Sequence, residues 1–186
     1  MEQRHKGADD AMSGLAEFLR TKGFDKMEAD RTSERWYSWL EENLCRGKGK
    51  VKKHFEAITT ADYDEVVIVK DIDVSSICPH HLLPVVLKVH IGYLPDGQIL
   101  GVSKFARVAK DLVRPVMQEE YTQELVDTIY DYLSPRWVMA IVIGQHMCMR
   151  CRGVEAINSE MITNCMRHEE KVNPYPLKQE MMKCVA

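Results

Sequence analysis

The sequence predicts an α+β protein in which an antiparallel sheet carries packed helices behind a helical N-terminal segment. Three observations lead there. Apolar residues recur at helical spacing over residues 8–22 and 116–133. They alternate with period two over residues 65–75, and Pro95-Asp96-Gly97 supplies a turn after the next extended stretch. Residues 137–144 form a short apolar run of buried-strand length.

Taken in order, Met12, Leu15, Phe18 and Leu19 form the apolar stripe of a first helix that Gly23 stops. Thr32 is expected to cap a second helix, with Trp36, Leu40 and Leu44 at i, i+4 intervals and an end near Gly47. Residues 46–53 are basic and glycine-interrupted, a loop by composition or a flap that attracts phosphate. In the strand over 65–75, the alternation sets Val66, Ile68, Ile72 and Val74 on one face. A second strand runs from Pro84 to Tyr93, so the two make an antiparallel pair. Ser103 is placed to cap a helix carrying Lys104, Arg107 and Lys110. Pro115 interrupts it, and Met117, Tyr121, Leu125, Ile129 and Leu133 give the next helix a continuous buried stripe. A strand over 138–143 and a mixed strand over 154–163 follow, then a charged, loosely held terminus with Pro174 and Pro176. The expected organisation is a helical segment over 1–50, the main domain over 51–170 and a tail over 171–186.

With 186 residues, 45% of them hydrophobic, the chain can bury one substantial core. Its formal net charge of −3 gives no global case for nucleic-acid or membrane binding, so any attraction for phosphate is local. No apolar run reaches the length of a membrane span. Cys45, Cys78, Cys148, Cys151, Cys165 and Cys184 are dispersed, and the first ten residues are charged rather than signal-like, so a reducing cytoplasm is expected over a disulfide framework.

The chemistry concentrates in two clusters. Cys78-Pro79-His80-His81 offers a thiol and two imidazoles in four residues, and Cys78 and His81 have the C-x-x-H separation with which a tight turn aims sulfur and nitrogen at one cation. His146-Met147-Cys148-Met149-Arg150-Cys151-Arg152 lies far downstream. Joined by the fold, the two would make a three-ligand metal site open to water. With Cys151 as a fourth ligand they would make a closed structural site, and without a metal Cys78 and Cys148 would be ordinary buried hydrophobes. Ser103, Lys104, Arg107 and Arg152 could neutralise a polyphosphate, although lysines and arginines on a helix are most often a solvated face. Gln118-Glu119-Glu120 reads as helix surface or as a carboxylate gripping the N–H edge of a purine.

These motifs, appearing in order between residues 32 and 166, resemble the GTP cyclohydrolase I family. Thr32-Ser33-Glu34-Arg35 is similar to the family's Thr-Pro-x-Arg, and Cys78-Pro79-His80-His81 to its Cys-Glu-His-His. Ile91-Gly92-Tyr93-Leu94-Pro95 and Gly101-Val102-Ser103-Lys104-Phe105-Ala106-Arg107 follow the family closely. Arg114-Pro115 with Gln118-Glu119, and His146-Met147-Cys148 with Arg152-Gly153, resemble its remaining active-site segments. The resemblance implies a tunnelling fold assembled into a decamer with active sites between subunits, and zinc on Cys78, His81 and Cys148. It implies proton transfer by His80 and His146, a guanine anchor at Glu119 assisted by Gln118, and a triphosphate grip by Ser103, Lys104, Arg107, Arg152 and Arg35. The implied reaction opens the imidazole ring of GTP to give 7,8-dihydroneopterin triphosphate and formate. Three departures from the pattern stand out: Pro79 replaces a glutamate; Ser33 stands for a proline and Ser38 for a lysine; and the stretch from Arg107 to Arg114 is one residue short of the family's spacing, which sets Glu119 against Glu120 as the guanine anchor, with Glu119 chosen. A non-catalytic purine- or pterin-binding regulator with structural zinc, and a cyclohydrolase for another purine nucleotide, are the alternatives.

Overall fold

The computed structural model describes residues 6–44 and 50–185. It divides into two compact units, Met1–Cys45 and Arg46–Ala186. In the first, α1 (Lys6–Thr21) and α2 (Lys26–Leu44) form a helical pair. Gly23, at φ +96°, closes α1 in a Schellman turn, with Gly23 N–H donating to Arg20 O at 3.1 Å and Phe24 N–H to Leu19 O at 3.3 Å. The second helix begins earlier than the Thr32 cap expected. Asp25 caps it instead, its Oδ1 accepting from Glu28 N–H at 2.9 Å, so Thr32 lies inside the helix.

The second unit opens with α3 (Val51–Phe55), where a loop was expected; the rest of the basic stretch, residues 46–49, lies outside the described residues. Phe55 stacks on Tyr132 at 4.8 Å, and His54 Nε2 meets Asp111 Oδ2 at 2.7 Å, which explains why so short a helix holds its place. A two-stranded ribbon pairs β1 (Ile58–Thr60) with β4 (Gln98–Leu100). The main sheet is antiparallel throughout, in the order β2 (Val67–Ile77), β3 (Pro84–Leu94), β5 (Trp137–His146), β6 (Met161–His168). This is the α+β class expected. The mixed strand expected over 154–163 starts only at Met161, because Gly153 and Glu155 at positive φ shape the preceding stretch into a loop.

The facing of β2 corrects the simple alternation. Lys70 and Asp71 sit opposite the single residue His90, a bulge at which Asp71 takes φ +61° and donates its N–H to His90 Nδ1 at 3.2 Å. One extra residue flips every side chain beyond it. Val67 and Val69 therefore share the core face with Ile72 and Val74, whereas Val66 and Ile68 face the other side.

Helices α4 (Val102–Leu112) and α5 (Gln118–Leu133) cover that core face. Gly101, not Ser103, is the N-cap of α4, with Lys104 N–H donating to Gly101 O at 2.8 Å. On α5, Tyr121, Leu125, Ile129 and Leu133 are buried as their spacing predicts, whereas Met117, expected to begin the stripe, is the N-cap residue and is exposed. The opposite face carries Leu94, Trp137, Met139 and Ile141 under α7 (Pro174–Val185). The terminus is thus an anchored helix and not a loose tail: Met181 is fully buried, and its sulfur would lie 2.9 Å from a Cβ placed on Gly92.

Candidate metal centre

Antiparallel register brings the two clusters together. Ile77 pairs with Pro84 and Val85 with His146, so the β2–β3 loop and the end of β5 share one end of the sheet. The loop is tied by Cys78 N–H donating to Leu83 O and Leu82 N–H to Cys78 O, both at 2.9 Å, with Leu82 at φ +52°. That closure turns His81 back onto Cys78, leaving the sulfur 3.5 Å from His81 Nδ1 and 4.0 Å from His80 Nδ1. Cys148 stands on α6 (Met147–Arg150), the single turn that follows β5. Among the described residues, the potential ligand atoms of Cys78, His81 and Cys148 all lie within 4.8 Å of one another.

The donor set fits a metal ion. A tetrahedral zinc, about 2.3 Å from sulfur and about 2.0–2.1 Å from nitrogen, holds S and N about 3.5 Å apart, and the observed Cys78–His81 separation is 3.5 Å. Without a cation, burial and the neighbouring Cys78 sulfur push the Cys148 thiol up, and Arg152 opposes them only in part. A divalent ion relieves that cost by stabilising both thiolates. Cys151 takes no part in this group. It is exposed, and its S–H donates to Met147 O at 2.9 Å.

Beside the three potential donors lies a cavity of about 270 Å³ lined by His80, His146, Gln118, Glu119, Met117 and Met161, among others. Its contents separate the two adjacent carboxylates of α5. Glu119 faces the cavity, whereas Glu120 lines a separate groove with Glu124 and Asp127. His146 is held by Gln118, whose Oε1 lies 2.8 Å from His146 Nε2. Burial lowers the pKa of His146, and the Glu119 carboxylate partly restores it.

Gln118, expected to assist the guanine anchor, lines the cavity from a buried position. It is 5% exposed, and its amide nitrogen donates to Val142 O at 3.0 Å, Met161 O at 3.0 Å and Thr163 Oγ1 at 3.1 Å. Those acceptors take up both amide hydrogens, leaving no donor for a ligand. Gly144 is the residue that sequence reasoning missed. A Cβ there would stand 2.0 Å from Gln118 Oε1, so only glycine admits the side chain. Its signal was an isolated glycine inside an apolar strand.

Ser103, Lys104 and Arg107 lie on the first turns of α4 and do not line the cavity, and neither does Arg152, although its charge reaches Cys148. Arg35 is exposed on α2, in the other unit. Within the second unit, the structure thus brings together Cys78, His81, Cys148, His80, His146, Gln118 and Glu119, but not Ser103, Lys104, Arg107 or Arg152.

The chain resembles proteins of one name. A relative from Rhodopirellula baltica, "GTP cyclohydrolase 1", is 37% identical over 168 residues, covering 87% of this chain and 72% of that protein. Proteins of the same name from Chlorobium phaeovibrioides and Homo sapiens are 47% and 48% identical over 115 and 112 residues, covering 61% and 60% of this chain. The match spans about half the length of those two, 52% and 45%. The profile of the family GTP cyclohydrolase I matches residues 12–186, nearly the whole chain, across both units. The chain belongs to the GTP cyclohydrolase I family.

Proposed function

We propose that this chain is a zinc-dependent GTP cyclohydrolase that converts GTP and water into 7,8-dihydroneopterin triphosphate and formate. The observation that carries the reading is the three-residue donor set with no fourth protein ligand among the described residues, opening onto a cavity that holds two further imidazoles and a carboxylate. Two sulfurs and an imidazole favour zinc over the harder common cations. When bound there, zinc supplies Lewis acidity that makes water a nucleophile near neutral pH.

The remaining work falls to side chains. Glu119, exposed to the cavity, accepts the N–H edge of guanine and so turns the imidazole side of the base toward Cys78 and Cys148. His146, at the end of β5, and His80, on the ligand loop, give and take protons as the ring opens and formate departs. Burial of Ile77, Val85, Leu87 and Tyr121 around the cavity limits water there. Ser103, Lys104, Arg107 and Arg152, with Arg35, hold the triphosphate, and the first three do so for the cavity of another copy, in keeping with the intersubunit sites of the decamer the family resemblance implies. Reduced thiolates at such a site suit the cytoplasm.

The test is incubation of the purified, zinc-loaded protein with GTP, followed by oxidation and pterin fluorescence. Product formation supports the reading, and its absence at one zinc per chain rejects it. Turnover of ATP or dGTP in place of GTP would move the assignment to another purine nucleotide. The regulator alternative drew on Pro79 and on Cys151 as a fourth ligand, and the placement of the Cys151 sulfur counts against the second of these.

A further inference from the structure

Two backbone carbonyls decide the state of a side chain some distance away. Val142 O and Met161 O can only accept hydrogen bonds, and both lie 3.0 Å from the amide nitrogen of Gln118. Rotating that amide by half a turn would aim its oxygen at both carbonyls, so the orientation of Gln118 is fixed. Thr163 Oγ1 adds a third partner at 3.1 Å, itself tied to Thr122 Oγ1 at 2.7 Å, whose hydroxyl donates to Gln118 O at 2.7 Å in the first turn of α5. Gln118 Oε1 therefore has to face His146 Nε2, 2.8 Å away. An amide oxygen only accepts, so the ring nitrogen opposite it carries the hydrogen.

We infer that Gln118 is a positioning residue that sets the tautomer of His146: the neutral ring holds its hydrogen on Nε2 and keeps Nδ1 as the nitrogen that exchanges a proton with a bound substrate. The chain of constraint runs from β5 and β6 through Gln118 to the imidazole, and Gly144 leaves room for it, since a Cβ there would stand 2.0 Å from Oε1 and 3.1 Å from His146 Nε2. Gln118 touches no reacting atom in this scheme. Its contribution is to hold one ring face and one lone pair ready, as partners behind a catalytic or ligating histidine do elsewhere.

The kinetic part of the test rests on the GTP-opening function proposed above; the spectroscopic part does not. Ring-nitrogen NMR of the zinc-loaded protein, with His146 assigned by loss of its signals in His146→Gln, reads the tautomer directly. The expected neutral ring has a pyrrole-type Nε2 and a pyridine-type Nδ1. The opposite tautomer, or an even mixture, overturns the inference on the wild-type protein alone, whether or not any variant folds. In Gln118→Leu the preference is expected to relax, with kcat for GTP falling about 10–100-fold, KM within about threefold and zinc still at one per chain. A Gln118→Leu protein with the wild-type tautomer and wild-type kcat would equally overturn it. If the wild-type protein turns over no GTP, the functional reading fails while the tautomer assignment stands or falls on its own spectrum.

Discussion

Gly144→Ala is a demanding probe of the site because the added atom has one place to go. The new Cβ would lie 2.0 Å from Gln118 Oε1 and 2.9 Å from its Cδ, so the oxygen must move by roughly 1 Å or more to reach ordinary contact. Gln118 cannot swing aside freely, because its nitrogen is held by Val142, Met161 and Thr163. Relief therefore costs the bond to His146 and at least one buried carbonyl partner, at about 1 kcal/mol for a net hydrogen bond and about 1–3 kcal/mol for an acceptor left unsatisfied. Overpacking adds a contribution of similar size. A loss of about 3 kcal/mol corresponds to a fall in Tm of roughly 6–12 °C for a chain of this size, measured at fixed protein concentration with zinc present. GTP turnover should fall with it. A Gly144→Ala protein with unchanged Tm and kcat would refute the close approach and the network built on it.

Three further outcomes follow from other parts of the molecule. Cys148→Ala is expected to lose both bound zinc and turnover, whereas His146→Ala keeps stoichiometric zinc and loses turnover, as metal analysis beside the fluorescence assay would show; full zinc retention by Cys148→Ala contradicts the ligand assignment. Met181→Ala removes a fully buried side chain from between α7 and Trp137 and should cost about 2–5 kcal/mol in thermal or denaturant unfolding, while a near-neutral result would mean α7 does not anchor there. His90 is buried with its pKa lowered by desolvation, against the Asp71 carboxylate that raises it and Lys88 and Lys70 that add to the lowering. The unfolded chain thus binds the proton more readily, so this contribution to stability is complete above about pH 6.5 and is lost as pH falls below it. The drop in Tm from pH 7 to pH 5 should therefore be smaller in His90→Leu than in the wild type, and equal drops would exclude His90 as a source.

What could be read from the residues was the part that local pattern controls. The grouping of the three donors was legible because a tight turn makes C-x-x-H spacing a geometric statement, and the second cluster offered Cys148 as a further soft donor. The stripe of α5 was legible because Tyr121, Leu125, Ile129 and Leu133 repeat without a break. The facing of β2 was not, since residues 66–69 are apolar on both faces and nothing local marks a bulge opposite His90. Helix α7 was hidden by its charge and by two prolines that mark its first turn, where proline is tolerated. Asn173, whose Oδ1 accepts from Tyr175 N–H at 3.2 Å, was the available start signal. Asp25 with Glu28 was the equivalent signal for α2. Gln118 read as helix surface because only the packing of α5 on the sheet turns it inward.

In the proposed site three protein atoms share one ion, with a position left for solvent. X-ray absorption at the zinc edge of the purified protein measures that arrangement directly. Two sulfurs at about 2.3 Å, one imidazole nitrogen at about 2.0–2.1 Å and one further light scatterer that changes when GTP is added are the expected result. Three sulfurs, or four protein ligands insensitive to GTP, would contradict it.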